Sequence, residues 1–299
     1  MKKIILIGLG RMGLAHLKSF LSRPISNLKF YLVDSDLKKL KILRKFVGKK
    51  SNFKLLKDIP KNEIFDFAII STLPKPRYNI SKKLLENNIV KYLLLEKFVF
   101  SKIPEYEKFN RIIKKKNTKV FVNIWSKIFI ERLRFTSNLK RVFIEVIIPK
   151  KSILTNLIHF IFILKLFNRK KNFKIDFSSL NIKKNKFGYH DGVGAIKVTN
   201  KLKSTMIIKT QKIRNSFQIK MSAYKFKKTI ILNGKKIKIN KHKKNINFPL
   251  ASEVTYKLFK GLMNKNNKIN LPVYKDVDKI SKQILFDLNK SFKKQIYVR

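Results

Sequence analysis

Ile4-Ile5-Leu6-Ile7-Gly8-Leu9-Gly10-Arg11-Met12-Gly13 joins an apolar run to a G-x-G-x-x-G turn near the start of this 299-residue chain. Residues 14–21 then follow a helical pattern, and a second apolar run over 30–33 ends in Asp34. A buried strand, a glycine turn, a helix and an acid roughly 20 positions further on form the dinucleotide fingerprint in its required context. Gly8 permits the tight turn, Gly10 lets a pyrophosphate approach the backbone, and Gly13 lets helix and strand pack closely. The helix start offers free N–H groups and the positive end of the dipole to phosphates. Asp34 is placed to accept ribose hydroxyls and to repel the extra phosphate of NADP, so NAD is the expected cofactor. Lys38 and Lys39 lie close enough to keep NADP open.

Outward from this stretch, strands are expected at 3–8, 30–34, 53–56, 67–71, 91–95 and 119–124. Helices are expected at 37–47, 77–87 and 105–115, with a turn and helix start at Asp58-Ile59-Pro60. Strands alternating with helices imply parallel crossovers and a doubly wound sheet. Ligands bind beyond the carboxyl ends of such strands, which places Gly8, Asp34, Thr72, Glu96, Lys97 and Asn123 on one rim. Asp36 reads as the cap of the helix over 37–47.

The pattern changes after Trp125. A strand over 141–148 and an apolar helix over 153–167 precede strands at 173–176, 194–199, 205–210, 216–223, 229–232 and 236–239. Asn233-Gly234 is a hairpin signal. Residues 240–247 read as a Lys-rich loop, and helices are expected at 252–263 and 276–294, with a direction suited to packing back across the domain junction. The expected organisation is α/β: a Rossmann dinucleotide-binding domain over 1–123, then an α+β domain with a largely antiparallel sheet over 124–299.

The chain has no cysteine, which excludes disulfides, thiolate zinc sites and a cysteine nucleophile, and fits a cytoplasmic setting. The opening Met-Lys-Lys has the look of a secretory signal, but its apolar run leads into the phosphate turn rather than a cleavage site. The apolar helix at 153–167 carries Asn156 and His159 and is too short to span a bilayer. Lys and Arg number 71 against 17 Asp and Glu, a net charge of +54. Lysines spread along the whole chain, with abundant Asn, Ile and Phe, follow A/T-rich codon usage, and no specific nucleic-acid partner is implied. The positive field would still attract phosphorylated substrates such as nucleotide sugars. No histidine–carboxylate cluster has metal-ligand spacing, so no metal is expected.

Three segments carry a resemblance: Gly8-Leu-Gly10-Arg-Met-Gly13-Leu-Ala-His16, Val90-Lys-Tyr-Leu-Leu-Leu-Glu96-Lys97, and Leu154-Thr155-Asn156-Leu-Ile-His159. The chain resembles the Gfo/Idh/MocA oxidoreductases, the family of glucose–fructose oxidoreductase and inositol dehydrogenase. With Ser252-Glu-Val-Thr and Leu271-Pro-Val-Tyr, it is similar to a branch associated with surface-sugar biosynthesis. The resemblance implies an NAD(P)-dependent dehydrogenase acting on a CH–OH group of a sugar or nucleotide sugar, working as a homo-oligomer.

The resemblance implies cofactor contacts at Gly8, Gly10, Arg11, Met12, Gly13, Asp34, Ser71, Thr72 and Glu96. It places Lys97 in the substrate pocket and makes His159 the general acid/base, with Thr155 and Asn156 beside substrate. Phe98 stands where the family motif has proline, and Thr155 where it has aspartate. Oxidising an alcohol removes a proton from oxygen as hydride leaves carbon. Histidine suits the first task near neutral pH, and an ammonium stabilises the developing negative charge. The missing acid keeps a second reading open: a catalytically weakened relative that binds dinucleotide or sugar as a sensor or partner module. His16 reads as structural, Arg77 as a substrate-facing or helix-capping residue, His190-Asp191 as part of a loop, and His242 as solvent-facing.

Overall fold

The computed structural model describes residues 1–23, 27–48, 51–132, 141–149, 153–167, 173–211, 216–223, 226–233, 236–239, 242–247, 254–264 and 271–299. Their contacts divide the chain into two units. Unit 1 is Met1–Asn123 with Ala251–Asp278, and unit 2 is Ile124–Leu250 with Lys279–Arg299.

Unit 1 is built on β1 (Lys2–Ile7), β2 (Leu28–Val33), β3 (Phe53–Leu56), β4 (Ile64–Ile70), β5 (Ile89–Leu95) and β6 (Lys119–Val122). They form one sheet in the order β3-β2-β1-β4-β5-β6, with every pair parallel. This is the doubly wound Rossmann order, which reverses between β1 and β4. The central strands are continuous apolar runs because helices cover both faces. Ile4, Ile5, Phe67, Ala68, Ile69, Leu93 and Leu95 are fully buried.

The crossover helices are α1 (Arg11–Leu21), α2 (Leu37–Val47), α3 (Pro74–Asn87) and α4 (Ile103–Lys116). On α1 the buried residues Gly13, His16, Leu17 and Phe20 recur at helical spacing and form its inner face. Asp36 caps α2, accepting from the Lys38 and Lys39 N–H groups. Pro74 opens α3 at a position where its missing N–H costs nothing. Asn117 ends α4 in the left-handed conformation. Residues 58–60 form no helix. A turn there leads directly into β4, which starts three residues earlier than its apolar core suggests because Ile64 and Phe65 already pair with β5.

The later segment of unit 1 closes its surface. On α7 (Val254–Met263), Phe259 packs edge-on against Phe20 of α1 and lies 5.8 Å from Phe67 of β4. Past the sheet edge, Pro272 O accepts from Val122 N–H, and Val273 bridges Phe121 in antiparallel sense. Ser252 lies outside the described residues.

Unit 2 holds β7 (Phe143–Pro149), β8 (Phe173–Asp176), β9 (Leu180–Lys184), β10 (His190–Asn200), β11 (Thr205–Gln211), β12 (Ser216–Ala223), β13 (Phe226–Asn233), β14 (Lys236–Ile239) and β15 (His242–Asn247). The sheet runs β15-β14-β13-β12-β7-β11-β10-β8, with β9 on the first half of β10. Only β7 and β11 pair in parallel; the remaining pairs are antiparallel, as expected. The apolar helix α6 (Ile153–Phe167) packs on β7, β10 and β11 and beside α5 (Ser126–Arg132). Its apolar residues run all round because almost every side is covered.

Four expectations for unit 2 are corrected. His190 and Asp191 lie in strand β10, not a loop, because this half of the strand pairs with β9. The Lys-rich segment β9 itself went unrecognised, as did α5. Residues 242–247 form β15 rather than a loop, held by backbone pairing to β14. Gly234 of the hairpin signal and the side chain of His242 lie outside the described residues.

Candidate functional site

The carboxyl ends of the unit 1 strands bring Gly8, Asp34, Thr72, Glu96 and Asn123 to one rim. At Gly8 φ is +91°, and an added Cβ would sit 2.9 Å from Thr72 N. At Gly13 an added Cβ would sit 1.9 Å from Gly8 O, so α1 crosses β1 closely enough that only glycine fits. Ser71 stiffens this crossing: its hydroxyl donates to Gly8 O at 2.6 Å. Gly10 is exposed, with no heavy atom within 4 Å of where a Cβ would stand. That open space lies at the N-terminus of α1, beside the exposed Arg11 and half-buried Met12.

Asp34 is 9% exposed and does more than face the rim. Its Oδ2 accepts from Leu9 N–H at 2.7 Å, inside the glycine turn. Its Oδ1 accepts from Asp36 N–H at 3.0 Å. Lys39 Nζ stands 3.4 Å from both oxygens. The carboxylate therefore ties the glycine turn to the end of β2.

The tip of β5 rests on a buried polar cluster that sequence reasoning only partly anticipated. Glu96 Oε1 accepts from Asn123 Nδ2 and lies 2.9 Å from His16 Nε2. His16 is fully buried, and its Nδ1 meets Thr255 Oγ1 at 2.7 Å. Burial pushes the Glu96 carboxyl upward, but the His16 hydrogen bond and charge, Asn123 and Arg77 outweigh it and hold Glu96 below the usual carboxylate range. An ionised carboxylate has no proton to give, so His16 Nε2–H is the donor. His16 is thus a bridge between α1, α7 and β5, as its structural reading implied.

A folded-state pKa held low contributes stability above the ordinary carboxylate value and loses it as pH falls toward the folded value. Wild type should therefore exceed Glu96→Gln in urea stability at about pH 7, with the gap narrowing toward about pH 3. A gap that stayed constant over that range would show that Glu96 ionisation contributes nothing.

Arg77 is corrected from a substrate-facing or capping residue to an internal brace. It is 2% exposed. Its guanidinium donates to Glu96 O at 2.6 Å, Val99 O at 3.0 Å, Phe98 O and Thr72 O. The Lys97–Phe98 peptide bond is cis, and Phe98 is fully buried. Tyr106 pins the next residue, accepting from Phe100 N–H and donating to Phe100 O. Lys97, half-buried, extends from this clamped turn.

In unit 2, Thr155, Asn156 and His159 lie on α6, with His159 buried and the other two half-buried. The His159 ring lies 4.9 Å from that of Trp125, and its carbonyl accepts from Ser126 Oγ. Asp191 reaches from β10 to the start of α6. Its Oδ1 accepts from Leu154 N–H at 3.0 Å, and its Oδ2 accepts from Thr155 Oγ1 at 3.0 Å. The acid absent at position 155 thus has a carboxylate from another strand beside it. His190 is buried, with Nδ1 accepting from Tyr297 N–H at 3.1 Å. Among the described residues no group of three or more acidic or histidine side chains is placed to hold a metal ion.

The rim suits a dinucleotide. The glycine turn leaves space at Gly10, and α1 points its N-terminus there. Thr72 Oγ1 and Asn123 Oδ1 are buried without a hydrogen-bond partner among the described residues. Native proteins rarely leave such atoms unsatisfied, so both are candidates for ligand contacts.

Residues 2–124 match the family model GFO_IDH_MocA, an oxidoreductase family with an NAD-binding Rossmann fold. This domain belongs to the Gfo/Idh/MocA family. The Gfo/Idh/MocA assignment makes the chain an oxidoreductase of an NAD-binding, dehydrogenase-rich family.

Solved structures share the fold across the whole chain. UDP-N-acetylglucosamine 3-dehydrogenase GnnA from Acidithiobacillus ferrooxidans is 9% identical with TM-score 0.67, covering 96% of each chain. Biliverdin reductase from Synechocystis sp. PCC 6803, solved with biliverdin and NADP+, is 10% identical with TM-score 0.66, covering 97% of this chain and 98% of its own. A super-repressor mutant of Gal80p from Saccharomyces cerevisiae is 14% identical with TM-score 0.68, covering 99% and 97%. No curated protein sequence matches the chain. Among the described residues no helix is long and apolar enough to cross a membrane.

Three residues of this Gfo/Idh/MocA rim were missed as functional supports: Arg77, Thr255 and Asp191. Their sequence signal is slight, since each acts on groups 5 to 239 positions away.

Proposed function

We propose that the chain is an NAD(P)-dependent dehydrogenase acting on a sugar or nucleotide-sugar CH–OH or carbonyl group. The observation that carries this is the glycine turn with open space at Gly10, on the same rim as a Glu96-Lys97 tip braced by Arg77. Gly8, Gly10, Arg11, Met12, Gly13 and Thr72 would hold the dinucleotide, with Ser71, Asp34 and Glu96 fixing the backbone around it. NAD(P), when bound, supplies the hydride acceptor or donor.

The chain's own groups manage the substrate oxygen. Lys97 orients that oxygen and stabilises its negative charge. His159 takes or returns its proton, and Thr155 and Asn156 hydrogen-bond neighbouring hydroxyls. A titratable imidazole on a well-packed helix is held in a fixed direction, which proton transfer requires. The net charge of +54 favours anionic substrates, in keeping with a nucleotide sugar. Residues 1–123 carry the cofactor side in this reading and 124–299 the substrate side, in a homo-oligomer serving surface-polysaccharide synthesis.

Calorimetric titration of the full chain with NAD and NADP, followed by turnover on a panel of nucleotide sugars, tests the reading. Dinucleotide binding with hydride transfer on one of them is expected, and failure to bind either dinucleotide overturns it. A sensor or partner module is the second reading, favoured by threonine rather than an acid at position 155. Tight binding of dinucleotide and sugar without turnover would establish it.

A further inference from the structure

The carboxylate at the end of β2 is the usual gate against NADP, because it takes the ribose hydroxyls and repels a 2′-phosphate. In this chain that carboxylate is committed elsewhere. Both Asp34 oxygens serve backbone N–H groups, one from Leu9 inside the glycine turn and one from Asp36. Its charge also faces Lys39 Nζ at 3.4 Å.

Lys39 is the mobile member of this group. Its side chain is 43% exposed, and its 3.4 Å distances to Asp34 and 3.6 Å to Asp36 are those of a loose ion pair. A lysine ammonium is a point charge on a flexible stem, so it can turn to a new anion at small cost. When it does, Asp34 keeps its two backbone donors and is not left unsatisfied. Asp36 is likewise occupied, capping α2 through the Lys38 and Lys39 N–H groups.

We propose that Lys39 forms a 2′-phosphate subsite and that Asp34 acts as a brace for the glycine turn, so the chain accepts NADP(H) as readily as NAD(H). The proposal rests on the dinucleotide reading above and sharpens it. The added phosphate carries about −1.5 to −2 charges, so the protein's positive field works for NADP and not against it. Asp34 contributes to both dinucleotides equally, through the shape of the turn.

Calorimetry on the full chain with NAD and NADP tests this, at low salt and at physiological salt. NADP should bind within about tenfold of NAD at physiological salt and gain more than NAD as salt is lowered. Lys39→Glu should weaken NADP by more than about tenfold while leaving NAD nearly unchanged. Asp34→Asn should weaken both dinucleotides by a similar factor, because it damages the turn they share. NADP weaker than NAD by more than about tenfold in wild type overturns the proposal. So does equal loss of both in Lys39→Glu, or an Asp34→Asn variant that gains NADP at the expense of NAD. In each of those cases NAD still binds and the dinucleotide reading stands. If neither dinucleotide binds wild type, both fall together.

Discussion

Arg77→Met should destabilise the protein by about 3–5 kcal/mol, read from the midpoint and slope of urea unfolding. The guanidinium is almost fully enclosed and donates to four backbone carbonyls, those of Thr72, Glu96, Phe98 and Val99. Methionine fills similar volume but has no donor, so those carbonyls are stranded in a site with little access to water. Each stranded acceptor costs about 1–3 kcal/mol, and they share one group, so the total stays below their sum.

Arg77→Lys should recover only a minor part of this. An ammonium has three donors and no planar fork, and it cannot span carbonyls from both the β4 and β5 tips. A loss under about 1 kcal/mol for Arg77→Met would mean that the guanidinium does not hold the turn. Where the variant folds, it should also bind dinucleotide less tightly, because Thr72 and Glu96 lose the bond that ties them together.

Lys97→Ala and His159→Ala should each lower kcat by about 10²–10⁴-fold on the true substrate. Dinucleotide affinity measured by calorimetry should stay near that of wild type. Removing His159 leaves the substrate oxygen without its proton partner, and removing Lys97 leaves the charge that grows on that oxygen unopposed. The His159 loss should ease as pH rises, since hydroxide can take the proton in its place, whereas the Lys97 loss should not follow that pattern. His159→Asn separates chemistry from packing: it retains a hydrogen-bonding side chain beside Trp125 but cannot transfer a proton. Wild-type turnover in either alanine variant would remove these roles while leaving the dinucleotide site intact.

The phosphate turn and the parallel domain could be read early because their signals are local. Gly8, Gly10 and Gly13 sit at fixed spacing between an apolar run and an amphipathic helix, and neighbouring residues suffice to impose that shape. The apolar helix over 153–167 and the strands at 53–56, 173–176 and 216–223 match their observed limits for the same reason. Segments rich in lysine were harder. In β9 and β15 the strand state comes from partners in β10 and β14, and the side-chain pattern contributes little. Misreading His190-Asp191 as a loop also hid the carboxylate that meets Thr155.

The glycine spacing, the apolar periodicities and the Glu96-Lys97 dipeptide determined the doubly wound domain, its ligand rim and the family resemblance. Only the tertiary structure decided that Arg77 is a buried brace, that His16 joins Glu96 to Thr255, and that Asp34 supports the turn it was expected to gate. The division is physical. A strand or a tight turn is set by the conformational preferences of adjacent residues. The role of a charged side chain depends on which distant donors and acceptors the folded chain gathers around it once water has been excluded.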